Sequence, residues 1–220
     1  MPAKTSKETI GLSRQQKILK RVLDIVLSVI LIPIFMLPIG ILFVIAIIDT
    51  KRIGFFFQNR VGKYGKVFLI VKIRTFNSVG KISKYSETLR KCKLDELPQL
   101  FNILIGQMSF VGPRPEVAEV MCELSITDQM ILTIKPGLTG PASLCYFNEE
   151  AILKAQQDPI AYNMKVVLPR KIAINKEYLN NYHMINDLKY MYKTTQYVFQ
   201  HMPWFAAIKS IGKKDSTKKG

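Results

Sequence analysis

The sequence predicts an α+β, membrane-associated fold. An N-terminal re-entrant hydrophobic helix precedes a compact, mostly helical domain with a small sheet and interfacial amphipathic helices. Three observations carry this. Val22 to Ile48 is almost wholly apolar, with Asp24 as its one charge. Phe55 to Thr75 is rich in β-formers and interrupted by the Gly62–Gly65 turn. Beyond it the apolar residues recur at helical spacing, ending in a tyrosine- and lysine-rich stretch from Asp187 to Phe199.

The apolar run is long enough for a bilayer, for which about 20 apolar residues suffice. No small-residue cleavage site follows it, which argues against a signal peptide. Pro33 and Pro38 each remove a backbone donor near its middle. Both flanks are basic, Lys17, Lys20 and Arg21 before it and Lys51 and Arg52 after it. Basic flanks tend to stay cytoplasmic. From charge alone, a segment that enters and turns back competes closely with a kinked span. Asp24 near the inner interface could pair with Arg21 or Lys20.

The elements then follow in order. GFFFQNR and VFLIVKIRT read as two strands around the turn, and Ser78 to Ser86 as a loop. Leu94, Leu97, Phe101 and Leu104 mark a helix that begins near Asp95, because Pro98 is tolerated only in a first turn. Glu116 to Ile134 reads as a helix stopped by Pro136-Gly137. Glu149–Gln157 and Val166–Asn180 are further helices, and Asp187–Phe199 an interfacial one. Pro203-Trp204-Phe205 is a candidate aromatic anchor, and the basic tail suits an anionic leaflet.

The chain holds 220 residues and carries a net charge of +16. Such a charge speaks to partners, namely anionic lipid, nucleic acid or phosphorylated small molecules, rather than to fold. Cys92, Cys122 and Cys145 are scattered, and only His183 and His201 could join them at a metal. Neither a zinc site nor a disulfide framework is expected, and the thiols read as reduced packing residues. There is no phosphate-binding GxxxxGK[ST] loop and no GxGxxG.

The densest chemistry lies in Lys93 to Pro115. Asp95 and Glu96 stand just before a helical pattern. There the positive end of the helix dipole would keep both ionised, as a carboxylate nucleophile or magnesium ligand must be. Taken alone, the pair is more commonly an ordinary N-cap with an acidic first turn. Adjacent positions on a helix diverge by roughly 100°, so they cannot face each other across a sugar as glycosidase carboxylates do. Arg114 is held between Pro113 and Pro115, and its fork matches phosphate oxygens. Gln58, Arg60, Lys72 and Arg74 alternate with apolar residues and could share one face of the strands.

In order, KRVLD, QNRVGKYGKVF, KIRTF, LDELPQLFNILIGQMSFVGPRP, KPGLTGPAS and NDLKYMYKT resemble the bacterial sugar transferases. These are the monotopic phosphoglycosyl transferases that load undecaprenyl phosphate, and the resemblance runs from Lys20 to Phe199. It implies that Asp95 attacks a nucleoside diphosphate sugar, with UDP as the expected nucleotide. Glu96 assists, with Mg2+ at Asp95 and Glu96. Arg90, Arg114, Lys72 and Arg74 bind substrate phosphates. Asp158, Tyr162 and Asp187 belong to the nucleotide or sugar region. The re-entrant helix is a family feature with a proline at its break, here Pro33. The implied partners are polyprenyl (undecaprenyl) phosphate, a nucleoside diphosphate sugar and an anionic phospholipid membrane, with no nucleic acid. A homodimer is compatible with this reading.

The implied organisation is a polar segment (1–19), a re-entrant membrane helix (20–50), a catalytic domain on the cytoplasmic face of the inner membrane (51–200) and a basic tail (201–220). With no extra N-terminal spans, the chain resembles the small members of the family. One departure stands out. Many members of that family carry an arginine after the TGPAS-like segment, whereas this chain reads YFNEE with Phe147 in its place. The rival readings are a scaffold of the same fold that has lost turnover and a hydrolase of the nucleotide sugar.

Overall fold

A computed structural model describes residues 11–122, 124–125 and 127–202. Residues 203–205 and nearly all of the basic tail fall outside them. The architecture is α+β and helix-dominated. A 37-residue helix, α1 (Arg14–Thr50), leads into a body of shorter helices and two two-stranded sheets.

Helix α1 starts with a capping box, in which the Ser13 side chain accepts from the Gln16 backbone and the Gln16 side chain accepts from Ser13 N–H. It ends at Lys51, which adopts the left-handed conformation and donates to Ile47 O. At 1.5 Å per residue it is about 55 Å long. It is the one described helix long and apolar enough to cross a bilayer, with a mean hydropathy of 2.9 over its best window. The helix runs through Pro33 and Pro38 alike.

One stripe of α1 is buried, formed by Lys20, Asp24, Ser28, Ile32, Ile39, Ala46 and Thr50. The spacing of four or seven keeps these residues on a single face. The opposite face exposes Val22, Val26, Val29, Ile34, Leu37, Ile41, Val44 and Ile48 to the surroundings. Polar groups fix the first turns to the body. Lys20 donates to Asp187 at 2.5 Å, and Asp187 also accepts from Tyr178 and Tyr182. Arg21 donates to the carbonyls of Ile103 and Leu104 at 2.7 Å each. Asp24 accepts from the Ser109 hydroxyl and the Phe110 backbone N–H. At the far end Asp49 accepts from Ser83 and Ser86.

Strands β1 (Phe55–Val61) and β2 (Val67–Ile73) form the expected antiparallel hairpin, with Phe56 opposite Lys72 and Arg60 opposite Phe68. Helix α2 (Lys84–Lys91) begins inside the stretch read as a loop, capped by the Ser83 hydroxyl. A 3₁₀ turn over Leu94–Glu96 leads into α3 (Gln99–Leu104), so Pro98 stands at the helix start as its ring requires. The segment from 116 to 134 is not one helix. It is α4 (Ala118–Cys122) and a 3₁₀ segment, Asp128–Thr133.

Two short strands went unread in the sequence, β3 (Ser109–Val111) and β4 (Gly137–Thr139), paired in parallel. Three residues each are too few to show a period. Helices α5 (Pro141–Cys145), α6 (Glu149–Lys154), α7 (Pro159–Tyr162), α8 (Leu168–Asn180) and α9 (Met184–His201) complete the described chain, with a π-helical turn Asn163–Val167 before α8. The main core gathers Ile32, Phe68, Ile70, Leu100, Ile103, Met108, Phe110, Ile172 and Leu179. A second joins Ile39 and Ala46 of α1 to Ile73 and Leu89. The thiols do not all pack inside, since Cys92 is buried while Cys122 and Cys145 are exposed.

Removing one partner of a buried ion pair strands the other. Lys20→Met is expected to destabilise the fold by about 3 kcal/mol, read as a lowered thermal midpoint in detergent. Lys20→Met with Asp187→Leu should recover most of that loss, and equal midpoints for Lys20→Met and the parent would refute the assignment.

Candidate active site

The 3₁₀ turn that carries Asp95 and Glu96 is launched by Lys93 in the left-handed conformation (φ 55°). Both carboxylates are buried. Glu96 Oε1 accepts from Arg114 Nη2 at 2.5 Å and from Lys72 Nζ at 3.1 Å, and Arg114 Nη1 lies 3.4 Å from Oε2. Asp95 Oδ1, by contrast, has no hydrogen-bond partner among the described residues.

Two loops deliver Arg114. Strand β3 runs into Gly112-Pro113-Arg114-Pro115, and β4 crosses it so closely that both contact points must be glycine. A Cβ on Gly137 would lie 2.1 Å from Gly112 N, and one on Gly112 would lie 2.5 Å from Lys135 O. Gly112 N–H donates to Thr139 O, and Gly137 N–H donates to Pro113 O. Lys72 arrives from β2 on the face it shares with Gln58 and Arg60. Arg60 donates to Gln58 Oε1 and to Pro115 O, bracing the loop from beneath.

The charges divide the dyad. Burial and then the neighbouring Glu96 push Asp95 up to about 6, against the pull of Lys72, Lys93 and Arg114. Burial also opposes the Glu96 charge, but Arg114 and Lys72 outweigh it and hold Glu96 well below the usual carboxylate range. Arg114 is in turn raised by Glu96. Equal ionisation of the two carboxylates by a helix dipole therefore does not describe the site. Glu96 is a fixed anion, and Asp95 titrates close to neutrality.

The remaining residues are spread more widely. Arg90, at the end of α2, pairs with Glu150 at 2.9 Å and stands apart from the dyad's hydrogen bonds. Arg74 donates to the carbonyls of Ile53 and Phe55 and lies over the rings of Phe56 and Phe76. Asp158 caps α7 by accepting from Ala161 N–H, with Tyr162 at that helix's other end. Asp187 is sealed in the Lys20–Tyr178–Tyr182 network and has no open face for a substrate. The Phe147 ring stacks on Tyr197 at 4.9 Å and lies near His201, with the Lys93 ammonium 5.4 Å from its centroid.

One charged cluster escaped the sequence reading. Lys171 on α8 is buried and donates to Glu116 at 2.6 Å and to Glu149 at 3.2 Å. It ties the residue after the arginine loop to the start of α6. Leu168, Lys171, Ile172, Asn175 and Leu179 follow helical spacing, so a lysine inside that stripe was the available signal.

Among the described residues no three His, Cys, Asp or Glu side chains gather as a metal cluster. What the site offers is a buried carboxylate with one free oxygen, beside two cations clamped on a second carboxylate. That donor set suits an anionic, phosphorylated ligand. The pattern of bacterial sugar transferases matches residues 15–201. The chain belongs to the bacterial sugar transferase family.

Among its relatives, an uncharacterized sugar transferase of Haemophilus influenzae is 29% identical over 83% of this chain and 41% of its own length. The UDP-N-acetylgalactosamine-undecaprenyl-phosphate N-acetylgalactosaminephosphotransferase of Aeromonas hydrophila is 31% identical over 58% of this chain and 34% of its own. The UDP-glucose:undecaprenyl-phosphate glucose-1-phosphate transferase of Caulobacter vibrioides is 29% identical over 80% of this chain and 67% of its own. The chain thus spans less than half the length of two of these three proteins.

Two measurements follow from the divided dyad. Removing the Glu96 charge by Glu96→Gln takes away a raising influence on Asp95 and leaves the cations in place. The Asp95 midpoint should then fall below about 6, read by carboxyl-carbon NMR, and an upward shift would contradict the geometry. The folded Asp95 also titrates above its unfolded value of 3.8. Its ionisation therefore weakens the fold as pH rises from 3.8 to about 6. Asp95→Asn should raise stability at neutral pH by up to about 3 kcal/mol, seen as a higher thermal midpoint than the parent.

Proposed function

We propose that this protein is a polyprenyl-phosphate sugar phosphotransferase, moving a sugar 1-phosphate from a UDP-sugar to undecaprenyl phosphate. The observation that carries the reading is the divided dyad, with an unpartnered buried oxygen on Asp95 beside Glu96 clamped by Arg114 and Lys72. The names of the relatives from Aeromonas and Caulobacter supply the acceptor and the reaction class.

In the first step an Asp95 oxygen attacks the β-phosphorus. The bond from that phosphorus to the bridging oxygen breaks, UMP leaves with the electron pair, and an aspartyl phosphosugar remains. In the second step an oxygen of the lipid phosphate attacks the same phosphorus and the aspartyl oxygen leaves as carboxylate. No net proton is needed in either step. With its midpoint at about 6, Asp95 is mostly ionised at pH 7, as a nucleophile must be. Its desolvation keeps it reactive rather than solvated.

Glu96 is held too far below the usual range to serve well as a base. Its role is to fix the Arg114 fork and the Lys72 ammonium where phosphate oxygens bind. Mg2+ is commonly held by one or two carboxylates together with substrate phosphates. The free Asp95 oxygen suits such an ion, and when bound it would neutralise diphosphate charge and stabilise the leaving group. Glu96 could join only by loosening its hold on Lys72 or Arg114.

The membrane reading is monotopic, with α1 entering from the cytoplasmic face of the inner membrane and returning to it. Its support is that both ends of α1 pack on one body, Lys20 on Asp187 and Asp49 on Ser83 and Ser86. A perpendicular span would put those ends on opposite sides. Pro33 and Pro38 leave the carbonyls of Val29 and Ile34 without helical donors, and those are the places where α1 can bend in lipid.

A second reading, a scaffold that has lost turnover, draws on Phe147, whose ring is packed with Tyr197 and His201. The two separate in one assay. Purified protein is given Mg2+, polyprenyl phosphate and a panel of UDP-sugars. Lipid-dependent UMP release with at least one sugar is expected, falling at least a thousandfold in Asp95→Asn, roughly the loss of an essential nucleophile. Release that ignores the lipid would point to hydrolysis, and none with any donor to the scaffold. Phe147→Arg should leave the rate unchanged or higher, since Lys93 already places a cation at that ring.

A further inference from the structure

The β1–β2 hairpin has two unlike faces. The inner face carries Gln58, Arg60 and Lys72 with the buried Phe68 and Ile70, and it meets the dyad through Lys72. The outer face follows from the register. Phe57 stands opposite Val71, Asn59 opposite Leu69, and Val61 opposite Val67, so these six side chains point the same way, with Val61 buried in the main core at the turn end and Asn59 exposed. A hairpin face turned to water would carry polar residues at its open positions. Here Phe57 is 48% exposed, Leu69 47% and Val67 59%.

At its α1 end this face runs into the second core, where Phe55 packs with Phe43 and Ile73 is buried. The Phe43 ring on α1 lies 4.6 Å from Phe55, and Phe55 lies 6.4 Å from Phe57. Ile53, 66% exposed, bridges the helix end and the strand. The rim is cationic, with Lys51 and Arg52 at one end of the hairpin and Lys63 and Lys66 at the other. Tyr64 is exposed at the tip beneath the Lys63 ammonium. An apolar centre with basic and aromatic edges is the pattern of a surface that sits at the headgroup level of an anionic leaflet.

We propose that the outer face of the hairpin is a second lipid-contacting surface, seated in the anionic leaflet beside α1. The proposal rests on the reading of α1 as lying in the bilayer. Its consequence is positional. The strand that lends Lys72 to Glu96 rests its other side on lipid, so the dyad is held at a set height above the headgroups.

The test uses tryptophan as a depth probe. The single native tryptophan, Trp204, is replaced by Phe. Tryptophan is then placed at Phe57 or Val67 on the hairpin, at Leu37 on α1, and at Val79, which is 82% exposed in the loop after β2. Each full-length variant is reconstituted in bilayers of three parts phosphatidylethanolamine to one part phosphatidylglycerol, with bromine on the acyl chains. The expected result is at least twofold quenching for Phe57→Trp, Val67→Trp and Leu37→Trp, little for Val79→Trp, and protection of the hairpin probes from aqueous acrylamide. Quenching of Leu37→Trp alone overturns the proposal and leaves the reading of α1 standing. Quenching of none overturns both. Hairpin probes shielded from acrylamide but not reached by bromine, with shielding lost on dilution in lipid, would mean that a second copy covers this face, which also overturns the proposal.

Discussion

The polar contacts along the first turns of α1 are the constraint from which the rest of the structure follows. Ile32, Ile39 and Ala46 of this apolar helix pack into the two cores, and specific polar contacts fix its position on the body. Lys20 and Asp187 supply the strongest, because neither charge can be separated once buried without stranding the other. One turn on, Asp24 accepts from Ser109 and Phe110, which sets where β3 begins. Strand β3 leads within a few residues to Arg114, and Arg114 grips Glu96. A short, continuous line of contacts thus joins the long apolar helix to the carboxylate dyad.

At the dyad, two carboxylates adjacent in sequence have opposite electrostatic fates. Glu96 receives both cations and becomes a permanent anion, while Asp95 receives the burial and the repulsion. Neither side chain could do this alone. Glu96 is the anion that pairs with Arg114 and Lys72, and without those cations two buried negative charges would not coexist. The site stores instability at Asp95, whose Oδ1 has no hydrogen-bond partner among the described residues, and offsets it at the neighbour.

Much of this was legible in the sequence, and what was not has a physical reason. The apolar run, the hairpin, the dyad and the proline-flanked arginine all announce themselves through composition or spacing within a few residues. Lys72 was likewise readable from strand alternation. Arg74 shares that alternation but turns to the carbonyls of Ile53 and Phe55, because the strand has ended by that point. Asp187 looked like a site residue and is a structural one. Its partner Lys20 is 167 residues away, and no local pattern records so distant a pairing. The parallel pair β3–β4 and the Lys171 cluster were hidden likewise, being made wholly of contacts between remote segments.

The close crossing of Gly112 and Gly137 bears on how such a chain can change over time. At both positions any side chain would collide with main-chain atoms rather than with something that can turn aside. Neutral drift is therefore closed at these two points, and the loops they join can only be inherited as a pair. Variation that this protein can tolerate accumulates elsewhere, as at the exposed positions of the short helices after residue 145, where side chains have space around them.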